Sequence, residues 1–181
     1  MRRLGDLISS CVLLATVLAA ACARTTTLTG DDAERAVAEF YAWYVPLAHD
    51  SSDGGMHAVR DRPVLFLPSL VTALREDSVA NAQSKGDVVG LDGDPFLNAQ
   101  DPCDKYAPVN TASRSGVFLV AVRGSGGCAA HTTADVTVEV TPIQGRPVFT
   151  NFIYSSATRD NLVSTLADLA AARRSAKGGR G

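Results

Sequence analysis

The stretch LDGDPFLNAQDPCD, residues 91–104, brings Asp92, Asp94, Asp101 and Asp104 together beside Cys103. Two carboxylates facing one cleft, with pKa values driven apart by unequal surroundings, would give a hydrolase its acid and its base. Asp92, Asp94 and Asp101 are the candidates for that chemistry. Alternating acids also suggest a calcium loop, but the spacing fails: Phe96 falls on the third ligand position and Leu97 on the glycine position. A simpler reading makes Gly93 and Asp94 a turn whose aspartate caps a short helix, with Pro95 at its first position and Asp101-Pro102 at its end. Phe96 and Leu97 then pack beneath. Gln100 and Asp101 are left as the polar pair that bonds backbone or faces a pocket.

The remaining chemical groups are sparse. Of the histidines, His49 and His57 lie eight apart near Asp50, Asp53 and Asp61 and could gather a metal, although an exposed polar loop explains them as simply; His131 belongs at a strand start. No HExxH, GxSxG or CxxC occurs. GSGG at 124–127 would cradle phosphate only ahead of a helix, and a strand follows it, so it reads as a hairpin turn. In FYAWY, residues 40–44, helical spacing puts Phe40, Tyr41 and Tyr44 on a core face and displaces Trp43, which flanks or lines a cavity. Tyr41, Trp43, Tyr44, Asp94, Gln100 and Asp101 are therefore the candidate pocket residues. No catalytic constellation and no cofactor or metal site is assembled, so a non-enzymatic role is expected.

Length and composition bound the answer. With 181 residues, 46% hydrophobic and 20% charged, the chain can bury one core. A net charge of -2 without a basic stripe argues against nucleic acid as a partner. Residues 1–21 read as a secretory signal peptide: Arg2 and Arg3 lead, LISSCVLLATVLAAA follows, and small residues end it. AAAC at 19–22 resembles a lipobox, with alanine where leucine is usual, so Cys22 is a lipidation candidate and ordinary cleavage the alternative. Lipidation would place the chain on the periplasmic face of the envelope, anchored to the membrane, with Ala23 implying the outer membrane. Residues 22–30 read as a flexible linker. Without residues 1–21 the chain keeps 15 basic and 18 acidic residues, and Arg173, Arg174, Lys177 and Arg180 sit in a C-terminal segment, 173–181, expected to be a disordered basic tail.

Export makes Cys103 and Cys128 the pair available for oxidation, so a Cys103–Cys128 disulfide is expected, with two free thiols as the alternative.

Around these residues the periodicity predicts a first helix from Asp31, capped with Glu34 and stopped or kinked by Pro46, then a loop HDSSDGGMHAVRDR. A second helix is predicted over 67–82. Strands follow at 116–123, 134–141 and 147–154, joined as an antiparallel meander, and a last helix begins at an N-cap Thr158 with Leu162, Val163, Leu166, Leu169 and Ala170 on one face. The expected fold class is α+β over residues 31–172, with helices packed on one face of a curved antiparallel sheet of at least three strands. By analogy that is a cystatin-like or NTF2-like cradle.

FYAWY, the helix around FLPSLVTAL, and DGDPFLNAQD together resemble the bacterial family called domain of unknown function 3828, found in exported proteins and lipoproteins. The likeness runs from Glu34 to Tyr154, and DPFLNAQD at 94–101 is its most specific part. It departs from the family in the last strand, PVFTNFIY, where a tryptophan is common. The resemblance implies an exported α+β domain and carries over no activity and no catalytic residues. The expected function is non-catalytic binding of a small molecule or glycan. A periplasmic immunity or inhibitor protein that binds another protein is the alternative, and a carboxylate hydrolase the third reading.

Overall fold

Apolar residues at helical spacing from Ala33 to Val45 build α1, Gly30–Asp50, in the computed structural model, which describes residues 27–50, 53–84, 89–129, 132–155 and 160–178. The helix starts one residue earlier than the sequence suggests, and its capping box is Thr29 with Asp32 rather than Asp31 with Glu34. The Asp32 amide donates to Thr29 Oγ1 at 3.2 Å, and the Thr29 amide donates back to the Asp32 carboxylate at 3.0 Å. Leu28 packs on the core, so the end of the segment read as a linker belongs to the domain. Pro46 does not stop the helix, which continues to Asp50.

The segment expected to be a loop forms α2, Gly54–Asp61, because Ala58 and Val59 find full burial there. A 3-10 turn at Pro63–Leu65 leads to α3, Pro68–Gln83, with Pro68 in its first turn. The Leu67 amide donates to the Phe149 carbonyl at 2.9 Å, pinning the entry of α3 to the sheet.

The sheet is antiparallel, in the order β1 (Lys105–Arg114), β2 (Val117–Ser125), β3 (Val136–Ile143), β4 (Arg146–Ser155) and β5 (Asp160–Asn161). β1 has no counterpart in the sequence reading: KYAPVNTASR lacks clean alternation, and its register slips between Pro108 and Asn110. Val120, Val122, Val136, Val138 and Val140 point to one face; α1 packs on β1, β2 and β4, α4 (Leu162–Gly178) packs on β4 and β5, and α3 packs against α2 and α4. This is the α+β arrangement expected.

Two boundaries at the C-terminal end shift. α4 begins at Leu162 rather than after Thr158, which lies outside the described residues; the Asn161 side chain accepts from the Ser164 amide at 3.0 Å and acts as the cap. Val163, expected on the core face, is 45% exposed. The helix then runs to Gly178, through the residues assigned to a tail, because Arg173 has a buried partner in Asp77.

Aromatic side chains fill the cradle. Phe40 stacks on Tyr44 at 5.1 Å between centroids and meets Phe66, Phe96 and Phe149 edge-on at 5.3 to 5.7 Å. Phe96 and Phe152 lie 4.7 Å apart. All of these rings are essentially inaccessible.

Candidate functional site

The DPFL segment forms a turn rather than a helix, and Asp94 caps it as expected. Its Oδ1 accepts from the amides of Phe96 at 2.8 Å and Leu97 at 3.0 Å, and the Asn98 amide donates to the Asp94 carbonyl at 3.0 Å. Asn98 completes the turn with φ 51°, a left-handed conformation that asparagine tolerates.

Tyrosines from α1 and β4 hold this turn. The Tyr44 hydroxyl donates to Asp94 Oδ2, the Tyr41 hydroxyl to the Phe96 carbonyl at 2.7 Å, and the Tyr154 hydroxyl to the Pro95 carbonyl at 2.8 Å. Burial raises the Asp94 pKa, although the bonds from Tyr44, Phe96 and Leu97 oppose the shift. Burial, and then the charge of Asp94, pushes the Tyr44 hydroxyl far above the tyrosine range; Tyr41 and Tyr154 move the same way for the same reasons.

Solvent-accessible space lies outside the filled cradle, on either side of the Leu91–Gln100 segment. A cavity of about 440 Å³ separates this segment from the ends of α1, α2 and α3, with Asp53, Met56, Ser78 and Asn81 among its walls. A second, of about 470 Å³, continues on the far side toward Tyr154, Asp160 and Thr165. Asp92, Asp94 and Gln100 border both, so the two form one groove around the segment. Among the described residues its lining holds carboxylates, amides and hydroxyls, and no Lys, Arg or His.

The predicted residues separate into distinct roles. Tyr44 and Asp94 are brought together, and Tyr41 supports the same turn. Gln100 faces the groove and donates to the Asp92 carbonyl at 3.1 Å. Asp101 is exposed and is not among the residues lining the groove, so of these two polar residues Gln100 is the one that borders it. Trp43 is likewise not among the lining residues: the Arg62 guanidinium sits 4.1 Å from its ring centroid, a cation–π contact. His49 faces the Cys103 carbonyl at 3.3 Å and His57 contacts Arg60, so the two are engaged separately. Among the described residues no group of three or more metal-ligating side chains gathers. His131 lies outside the described residues, as does Cys22.

The Cys103–Cys128 disulfide forms as expected, with 5.0 Å between Cα atoms. It ties the exit of the Leu91–Gln100 segment to the turn after β2, where the Asp104 amide donates to the Gly126 carbonyl at 2.9 Å. Gly124 is required beside it, since a Cβ there would stand 2.5 Å from Cys103 Sγ.

Asp77, absent from the sequence candidates, is 4% exposed. Its Oδ2 accepts from the Leu91 amide at 2.9 Å and its Oδ1 from Arg173 Nη1 at 2.5 Å. The signal was readable: Asp77 continues the apolar stripe Leu70, Leu74 at helical spacing, where an acid needs a partner.

No protein-family model matches the chain, and neither curated proteins nor solved structures yield a significant match.

Proposed function

We propose that the chain is an exported, non-catalytic binding domain whose ligand, a small molecule or glycan, occupies the groove around Leu91–Gln100. The observation that carries this reading is the groove itself: two adjoining cavities within the size range of ligand sites, sharing a wall rich in hydrogen-bonding side chains. The carboxylates of Asp53, Asp92 and Asp160 in the described lining favour neutral, hydroxyl-rich or cationic ligands over phosphates and carboxylates. Against hydrolysis, both oxygens of Asp94 are already committed to Tyr44, Phe96 and Leu97, and Asp101 is not in the groove lining.

The reading extends to place. The leader-like residues 1–21 and the lipobox-like AAAC support an envelope protein anchored through Cys22, and the oxidised Cys103–Cys128 pair fits such a compartment. Membership of the domain of unknown function 3828 family belongs to the same proposal. Among the described residues no helix is long and apolar enough to cross a membrane.

The test is native mass spectrometry of the full chain purified from envelope extracts, compared with an Asn81→Ala, Gln100→Ala variant. A retained small molecule or glycan that the variant loses supports the reading. A stoichiometric protein partner instead would replace it with a protein-binding role, and a mature N-terminus with unmodified Cys22 would remove the anchor.

A further inference from the structure

Leu91, Asp92 and Gly93 border both cavities, and with Val89 and Gly90 before them they form a wall segment that belongs to no helix or strand. What holds it comes from two distant helices. Asp77 on α3 accepts from the Leu91 amide, and Arg173 on α4 donates through one nitrogen, Nη1, both to Asp77 Oδ1 at 2.5 Å and to the Val89 carbonyl at 2.9 Å. Gly90 lies so close between these points that a Cβ there would stand 2.8 Å from Asp77 Oδ2 and 3.1 Å from Asn81 Cβ.

We propose that Arg173 is the positioning residue of the groove: the C-terminal helix latches the Val89–Gly93 wall through it, and displacing that helix end opens the groove. The regulatory consequence rests on the binding reading above, whereas the latch itself does not. The geometry favours a latch over a simple surface ion pair. The Arg173 side chain is 19% exposed and that of Asp77 5%, so water competes weakly for either partner, and a single guanidinium nitrogen spans the helix and the wall at once. Losing Arg173 would leave Asp77 with its charge buried and the Val89 carbonyl without this donor, so the wall, which has no ladder of its own, is the element that yields. Neighbouring Arg174 is exposed and makes a natural control.

Amide hydrogen exchange on the ligand-free full chain reads the latch directly. Arg173→Gln should speed exchange at Leu91 at least tenfold, leaving β2 and β3 amides unchanged, while Arg174→Gln does nothing. Arg173→Lys should restore part of the protection, since one nitrogen makes both bonds. Asp77→Asn keeps an acceptor for the Leu91 amide but drops the charge that holds Arg173, so it should show an intermediate rate. Unchanged Leu91 exchange in Arg173→Gln, or acceleration spread evenly over the sheet, would overturn the proposal. Because no ligand is used, a groove that binds nothing would leave this result intact, and the two readings fail separately.

Discussion

The Tyr44 hydroxyl and Asp94 Oδ2 stand 2.5 Å apart, a bond between α1 and the turn that begins 50 positions later. It closes the last open oxygen of a carboxylate whose other oxygen already takes two backbone amides. Tyr44→Phe should therefore destabilise the fold by about 1–3 kcal/mol, because a buried acceptor loses its donor. Denaturant melts of Tyr44→Phe, Asp94→Asn and the double variant give the coupling between them. Strictly additive losses would mean that the bond contributes nothing beyond packing.

Asp94 and Asp32 should titrate in opposite directions. Burial raises the folded pKa of Asp94, so between the unfolded and folded values the native state binds more protons, and this group's contribution to stability grows as the pH falls through that window and shrinks as it rises. Asp32 is held down to about 2 by its side-chain and backbone bonds with Thr29 and then by Arg35; its contribution is present above the unfolded value of 3.8 and is lost as the pH falls toward about 2. Carbon-detected NMR of the two carboxyl groups measures both. An Asp32 midpoint at the ordinary value would contradict its hydrogen bonding, and an Asp94 midpoint below it would mean that the bonds from Tyr44, Phe96 and Leu97 outweigh burial.

The Cys103–Cys128 bridge closes a sequence separation of 25 residues. On the chain-entropy estimate such a loop contributes about 3 kcal/mol. Replacing both cysteines with alanine should lower the melting temperature without changing the secondary structure seen by circular dichroism. Two alkylatable thiols in the unreduced protein would show that the bridge is not formed in solution.

Phe40 contacts more rings than its neighbours on α1, and nothing accessible lies behind it. Phe40→Ala should cost about 3–5 kcal/mol, through lost burial and the cavity left behind. Trp43→Phe, which removes only a half-buried ring under Arg62, should cost far less. Equal losses would mean that the cradle is not the centre of stability.

The sequence reads well wherever burial is one-sided and periodic. Val136, Val138 and Val140 alternate against Thr137, Glu139 and Thr141, and α3 carries its stripe from Leu70 to Leu74, so both elements are plain. β1 and α2 are not, because their placement is decided by partners far away: β1 pairs with β2 while keeping only Tyr106 fully buried, and α2 hides just Ala58 and Val59 behind a polar surface. The cap at Asp94 was legible from the turn residues around it, yet its bond to Tyr44 was not, since only the fold brings those positions together. Asp101 lies outside the groove lining for the same reason: sequence proximity to Gln100 does not fix which way an exposed turn presents its side chains.

At either border of the sheet, the chain offers little for another strand to pair with. β1 carries Pro108, which has no amide hydrogen, beside a register break at Val109, and β5 at the opposite border is only two residues long. Strand borders of this kind resist being zipped onto a neighbouring molecule. The fold should therefore stay dispersed at high concentration, and Pro108→Thr, which restores an amide donor, is the change most apt to make it self-associate.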